Sequence, residues 1–200
     1  MTNEIGKVIR GENHMLYWIQ INNDIEGNPA PTPEDCAFGS FVAIKPDFDK
    51  NLSLIGVISN TMLLDRDALR YGPRLAQDRE TMNIIFPDFI DERIKIVKVL
   101  LIGYIKDKKA HHEFPAITPN LGNSGVKLSK GDIIKFHLVN SKFQIGYFSN
   151  VMTYSKLYLP LMKEILLQLR DLFKDETEII QLLLNNLDYQ AKIQGGFSNV

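Results

Sequence analysis

The sequence predicts a small β-barrel of six to seven strands, closed or nearly closed, followed by a helical hairpin. It is a mainly β chain with α added at its end. Three observations predict this. Runs rich in Val, Ile and aromatic residues with period-two alternation fill most of the chain before Ser155, the longest being Ile94–Ile105. Glycines recur inside such runs, at Gly6, Gly56, Gly103 and Gly146, where a strongly coiled sheet needs bends or bulges. From Ser155 the apolar period lengthens to about 3.6 residues.

The elements follow in order. Ile5–Ile9 forms a first strand, with a turn at Gly11–Asn13, and Met15–Ile21 a second, rich in β-formers and anchored by Trp18. The loop 22–33 carries Pro29, Pro31 and Pro33, a spacing that favours an extended surface excursion. Gly39-Ser40 turns the chain into Phe38–Ile44, the third strand, and Leu52–Met62 is the fourth. Asp65–Tyr71 is expected to be a short helix capped by Asp65 and ended by Gly72-Pro73. The fifth strand, Ile94–Ile105, turns over at the charged tip Lys106–Lys109. It returns through Pro115 and Pro119 to the glycine turn Gly122–Gly125. Ile133–Val139 and Phe143–Phe148 are expected to pair as a hairpin across Asn140-Ser141-Lys142, which places His137 within a strand. Leu161, Ile165, Leu169 and Leu172 then share one helical face, and Ile180, Leu183, Leu184 and Leu187 another. Asp175-Glu176-Thr177-Glu178 opens that second helix with a capping-box pattern, and the end frays from Gln194-Gly195-Gly196. The division expected is a barrel over 1–151, with an insertion at 65–92, and a helical hairpin over 152–194.

Composition bounds the function. The 200 residues are 44% hydrophobic and 24% charged, enough for a real core with an ordinary polar surface. A net charge of −1 excludes a chain that binds nucleic acid through its overall field, so any such role needs a local basic patch. The single cysteine, Cys36, excludes an internal disulfide and a thiolate metal site. No signal-type core opens the chain, and no apolar run approaches a membrane span. A cytoplasmic protein without membrane contact is the expectation.

Catalytic patterns fail one by one. Gly6-Lys7 is followed by valine, so no phosphate-binding loop is present, and neither a dinucleotide glycine pattern nor a hydrolase elbow occurs. His111-His112-Glu113 is the densest group of potential metal ligands, but neighbours on an extended segment diverge and nothing nearby completes the site. Pro87-Asp88 with Asp91, Glu92 and Lys95 misses the spacing of metal-dependent nucleases. The expectation is therefore no enzyme, no metal and no cofactor. Arg66, Arg70, Arg74 and Arg79 concentrate in the insertion. Their ordinary reading is a solvated segment with internal ion pairs, since Asp65, Asp67, Asp78 and Glu80 offset them. Their functional reading is contact with phosphates or a partner through guanidinium forks. Phe143, Tyr147 and Phe148 with Lys135 and Lys142 offer a further stacking and basic face of the kind oligonucleotide-binding barrels use.

Five segments in order carry a family resemblance: Ile5-Gly6-Lys7-Val8, Gly39-Ser40-Phe41-Val42, Leu54-Ile55-Gly56-Val57-Ile58, Leu101-Ile102-Gly103-Tyr104, and the return Pro115…Pro119…Gly122…Val126. Together they resemble the HerA–ATP synthase barrel, the N-terminal domain of HerA-type DNA-translocating ATPases, over roughly residues 4–150. The resemblance implies a barrel that does no chemistry, helps hold an ATPase ring together and docks a nuclease of NurA type. Where that family continues into an ATPase core, this chain has the hairpin 160–193. It is then a stand-alone adaptor or ring component, or a piece of a longer ATPase. The function expected is assembly or partner docking in a HerA-like DNA-processing system, with itself or with an ATPase or nuclease. The alternative is nucleic-acid binding through the arginine-rich insertion.

Overall fold

The computed structural model describes residues 4–23, 30–65, 93–154 and 159–196. Seven strands form the main sheet: β1 (Glu4–Gly11), β2 (Leu16–Ile21), β3 (Phe41–Lys45), β4 (Leu52–Asp65), β5 (Arg93–Lys106), β6 (Lys109–His111) and β7 (Ser124–Lys127). All neighbours are antiparallel, in the order β2-β1-β7-β3-β4-β5-β6. The ring closes where β5 returns to β2, with Leu16 opposite Leu100 and Gln20 opposite Ile96. The expected barrel is therefore a closed one of six strands with β6 added. Strand β5 is its organising element: it pairs with β4 along its length, while β2 and β6 share its other edge.

Both faces are covered over β3, the 52–58 part of β4 and the 96–102 part of β5, which is why these stretches read as nearly continuous apolar runs. Ile19, Val42, Ile44, Leu54, Ile58, Val97, Val99 and Leu101 fill the interior of the barrel. The alternate set, Phe41, Ala43, Ile55, Val57, Leu100 and Ile102, points outward into a second core built with the helices. Burying each such side chain stabilises the fold by roughly 1.5–3 kcal/mol.

The in-strand glycines sit where the sheet departs from regular pairing. Ile55 faces Gly103 but Gly56 faces Leu101, so Ile102 is an extra residue in β5. A Cβ at Gly103 would collide with the His111 carbonyl and come within 2.9 Å of the Phe136 ring. Gly39 adopts φ 82°, as the predicted turn into β3 requires, and lies against Glu164 and Gln168. Gly146 differs from expectation: it lies in a turn, not a strand.

The segment after Ser129 also departs from the predicted hairpin. Lys130–His137 is a helix, α1, and only Leu138–Val139 (β8) and Lys142–Phe143 (β9) pair, across Asn140-Ser141. Phe148–Tyr154 is a second helix, α2. Ser129 decides the matter: its side chain accepts from the Asp132 backbone N–H, and its hydroxyl donates to the Asp132 carboxylate at 2.7 Å. With the helix started, Ile133, Phe136 and His137 share one buried face at helical spacing.

Leu159–Leu172 (α3) and Thr177–Gly196 (α4) make the expected helical hairpin, joined through a 3-10 turn at Lys174–Glu176. Asp175, the cap of the expected box, lies within the 3-10 turn, and the Thr177 hydroxyl donates to the Lys174 carbonyl at 2.8 Å. Helix α4 also continues to Gly196, beyond the predicted fraying point. Leu161, Ile165 and Leu169 of α3 and Ile180, Leu184 and Leu187 of α4 join the outer core on the barrel wall. Gln168 fixes α3 further, donating to the Gly39 carbonyl at 3.2 Å.

Candidate functional site

The main cleft lies where β6, α1 and the β8–β9 hairpin meet, and has a volume of about 810 Å³. His112 lines it, and behind His112 lie the buried His137 and Tyr147. His137 Nδ1–H donates to the Ile133 carbonyl at 2.8 Å, leaving Nε2 to accept the Tyr147 hydroxyl at 2.7 Å. His112 Nε2–H donates to the Phe136 carbonyl at 2.9 Å, and its Nδ1 accepts the Gly146 N–H at 3.0 Å. Each ring therefore has one fixed neutral tautomer with both nitrogens satisfied.

Electrostatics agree with that assignment. Burial pushes His137 down to about 3, with the Ile133 hydrogen bond and nearby His112 as smaller influences. Burial also lowers His112, and it raises the Tyr147 phenol well above its ordinary value. His137 and Tyr147 are both fully buried. Both groups are enclosed, and neither lines the cleft. The trio ties α1, β6 and the turn before α2 together. His137, expected within a strand, instead ends helix α1 and is buried there.

His111 diverges from His112 as an extended segment requires, and stacks flat on Tyr104 with ring centroids 4.6 Å apart. Among the described residues no group of three or more His, Cys, Asp or Glu is placed to hold a metal ion. Cys36 is buried, and that burial raises its thiol. The proposed stacking face is not assembled. Tyr147 is wholly internal, while Phe143 and Phe148 pack against the outer core. Arg66, Arg70, Arg74 and Arg79, with the predicted helix from Asp65 and the Pro87–Glu92 carboxylates, lie outside the described residues beyond Asp65 itself.

Trp18 is only half-buried, on the outside of the barrel. Its Nε1–H donates to Glu12 at 2.9 Å, and Arg10 and Lys98 each lie 4.8 Å from its ring. Lys98 closes the group by pairing with Glu12 at 2.6 Å, the contact that does most to hold the Glu12 carboxyl below its usual range.

Two features escaped sequence reading. One is the upper wall of the cleft, carried by Lys108, Lys109 and Glu113 on one side and Lys135, Asn140 and Gln144 on the other. The other is the outer face of α4, where Ile179, Leu182, Tyr189 and Ile193 are 55%, 69%, 66% and 42% exposed. With Asn186 between them, their spacing is that of a heptad seam, a signal present in the sequence. Among the described residues no helix is long and apolar enough to cross a membrane.

Residues 1–198 match the family described as Domain of unknown function (DUF8166), and the chain belongs to that family. No curated protein matches it.

Proposed function

From a family that spans barrel and helices together, we propose that the chain is a non-catalytic barrel module for assembly, joining copies of itself and docking into a HerA-like DNA-processing system. The observation that carries this reading is the exposed apolar seam of α4. The inner face of the same helix already packs on α3 and the barrel through Ile180, Leu184 and Leu187, so the outer face is a second contact surface. Its third position, Asn186, is the polar kind of residue that fixes register and copy number in paired helices. In an antiparallel pair of α4 helices, Glu178 of one copy falls opposite Lys192 of the other, and neither is in an ion pair among the described residues. The HerA link rests on the five sequence segments of the barrel. It names the setting, a translocase or nuclease complex, while α4 supplies the means of self-contact.

Sedimentation of the full chain over a wide concentration range tests this reading. Reversible self-association is expected. A monomer at every concentration, with no capture of a HerA-type ATPase or its nuclease, overturns it.

A further inference from the structure

Two tight turns flank the main cleft, and each carries in its second place a residue that such turns disfavour. Asp107 and Lys108, joining β5 to β6, have φ of 48° and 65°; Asn140 and Ser141, joining β8 to β9, have 52° and 60°. Turns with two left-handed residues favour glycine in the second place, because an L side chain there crowds the backbone. Lysine stands in that place at 108 and lines the cleft. A residue kept against the backbone preference marks a place where the side chain has another task.

We propose that this cleft binds a nucleoside phosphate. Lys108 and Lys109 are in no ion pair among the described residues, and Lys135 across the cleft shares only the exposed Asp132, at 3.1 Å. Three lysines lining one opening suit a phosphate chain. Glu113 is on the same wall, as a carboxylate acceptor for a ribose diol. Phe114 is 39% exposed there and offers a ring face to a base, with the Gln144 amide able to read its edge. The volume, about 810 Å³, lies within the range of small-molecule sites. The site stands apart from the assembly reading, since no residue of α4 lines it.

Calorimetric titration of the full chain with ATP, inorganic phosphate and a single-stranded DNA oligonucleotide tests the assignment. Saturable ATP binding is expected, much tighter than phosphate and not exceeded by the oligonucleotide. Lys108→Gly should weaken ATP about tenfold, as loss of a charge-assisted contact does. It should also leave the melting temperature equal or higher, because glycine suits the turn. Glu113→Gln should weaken ATP but not its 2′,3′-dideoxy analogue. Absence of saturable ATP binding at low salt overturns the proposal. So do unchanged affinity in Lys108→Gly, phosphate binding as tight as ATP, and tighter binding of the oligonucleotide.

Discussion

The Tyr147 hydroxyl donates to His137 Nε2 at 2.7 Å, in the closed space between the barrel wall and the helices. This bond joins the last residue of α1 to the turn before α2 and completes the polar pairing of an otherwise apolar layer. A buried polar pair of this kind contributes most through what its loss leaves behind.

Tyr147→Phe should therefore destabilise the fold by about 1–3 kcal/mol, because His137 Nε2 is left buried without a donor. Urea denaturation measures it. An unchanged midpoint would show that the bond does not hold α1 in place.

Acid should destabilise the protein in a definite window. His137 is held neutral down to about 3 in the fold, while the unfolded ring takes a proton below its ordinary 6.5. The unfolded state thus binds more protons between those values, and stability falls as pH drops through that range. One such histidine contributes a slope of up to about 1.4 kcal/mol per pH unit. His112 is shifted the same way. The depressed carboxyls of Asp35, held chiefly by Lys127, and Asp132, held chiefly by Ser129, add losses at the acid end. Above pH 6.5 these groups predict a flat profile. Denaturation midpoints of the wild type and His137→Gln across this range should show a shallower slope in the variant.

Gly103→Ala should cost about 2 kcal/mol or more, since the added methyl meets the backbone carbonyl of His111, which cannot swing aside. Combining it with Phe136→Leu should recover none of the carbonyl clash. Thermal melts of both variants check this, and a fully restored double variant would place the obstruction at the ring instead.

Ile179→Glu with Leu182→Lys should abolish self-association while changing monomer stability by no more than about 0.5 kcal/mol, because both side chains face solvent. Sedimentation and urea unfolding together separate the two effects. Loss of stability without loss of association would move the interface elsewhere.

The strands were legible because two-sided burial writes long Val/Ile runs into β3, β4 and β5, and because Gly56 and Gly103 stand at the irregular pairing between them. The α3–α4 hairpin was legible from its period. The Lys130–Phe148 segment misled for a physical reason. Ile133-Ile134-Lys135-Phe136 satisfies strand alternation as well as helical spacing, and only the Ser129 cap with its partner Asp132 separates the two. The cleft was illegible in principle. Its walls come from the 108–114 and 135–150 stretches, and their meeting depends on β6 adding to β5 and on the His112–Phe136 bond.

Closure of the ring through β2 and β5 sets a schedule for biosynthesis. Leu16–Ile21 leaves the ribosome long before its partner Ile96–Leu100 exists, and β1 waits longer still for Ser124–Val126. Until then the emerging N-terminal hairpin shows an unpaired, apolar edge, the species most open to chaperone capture or misassembly. The cylinder can close only once Ser124–Lys127 has emerged. Slowing synthesis between Leu64 and Lys127 should therefore lower the soluble yield without altering the final molecule.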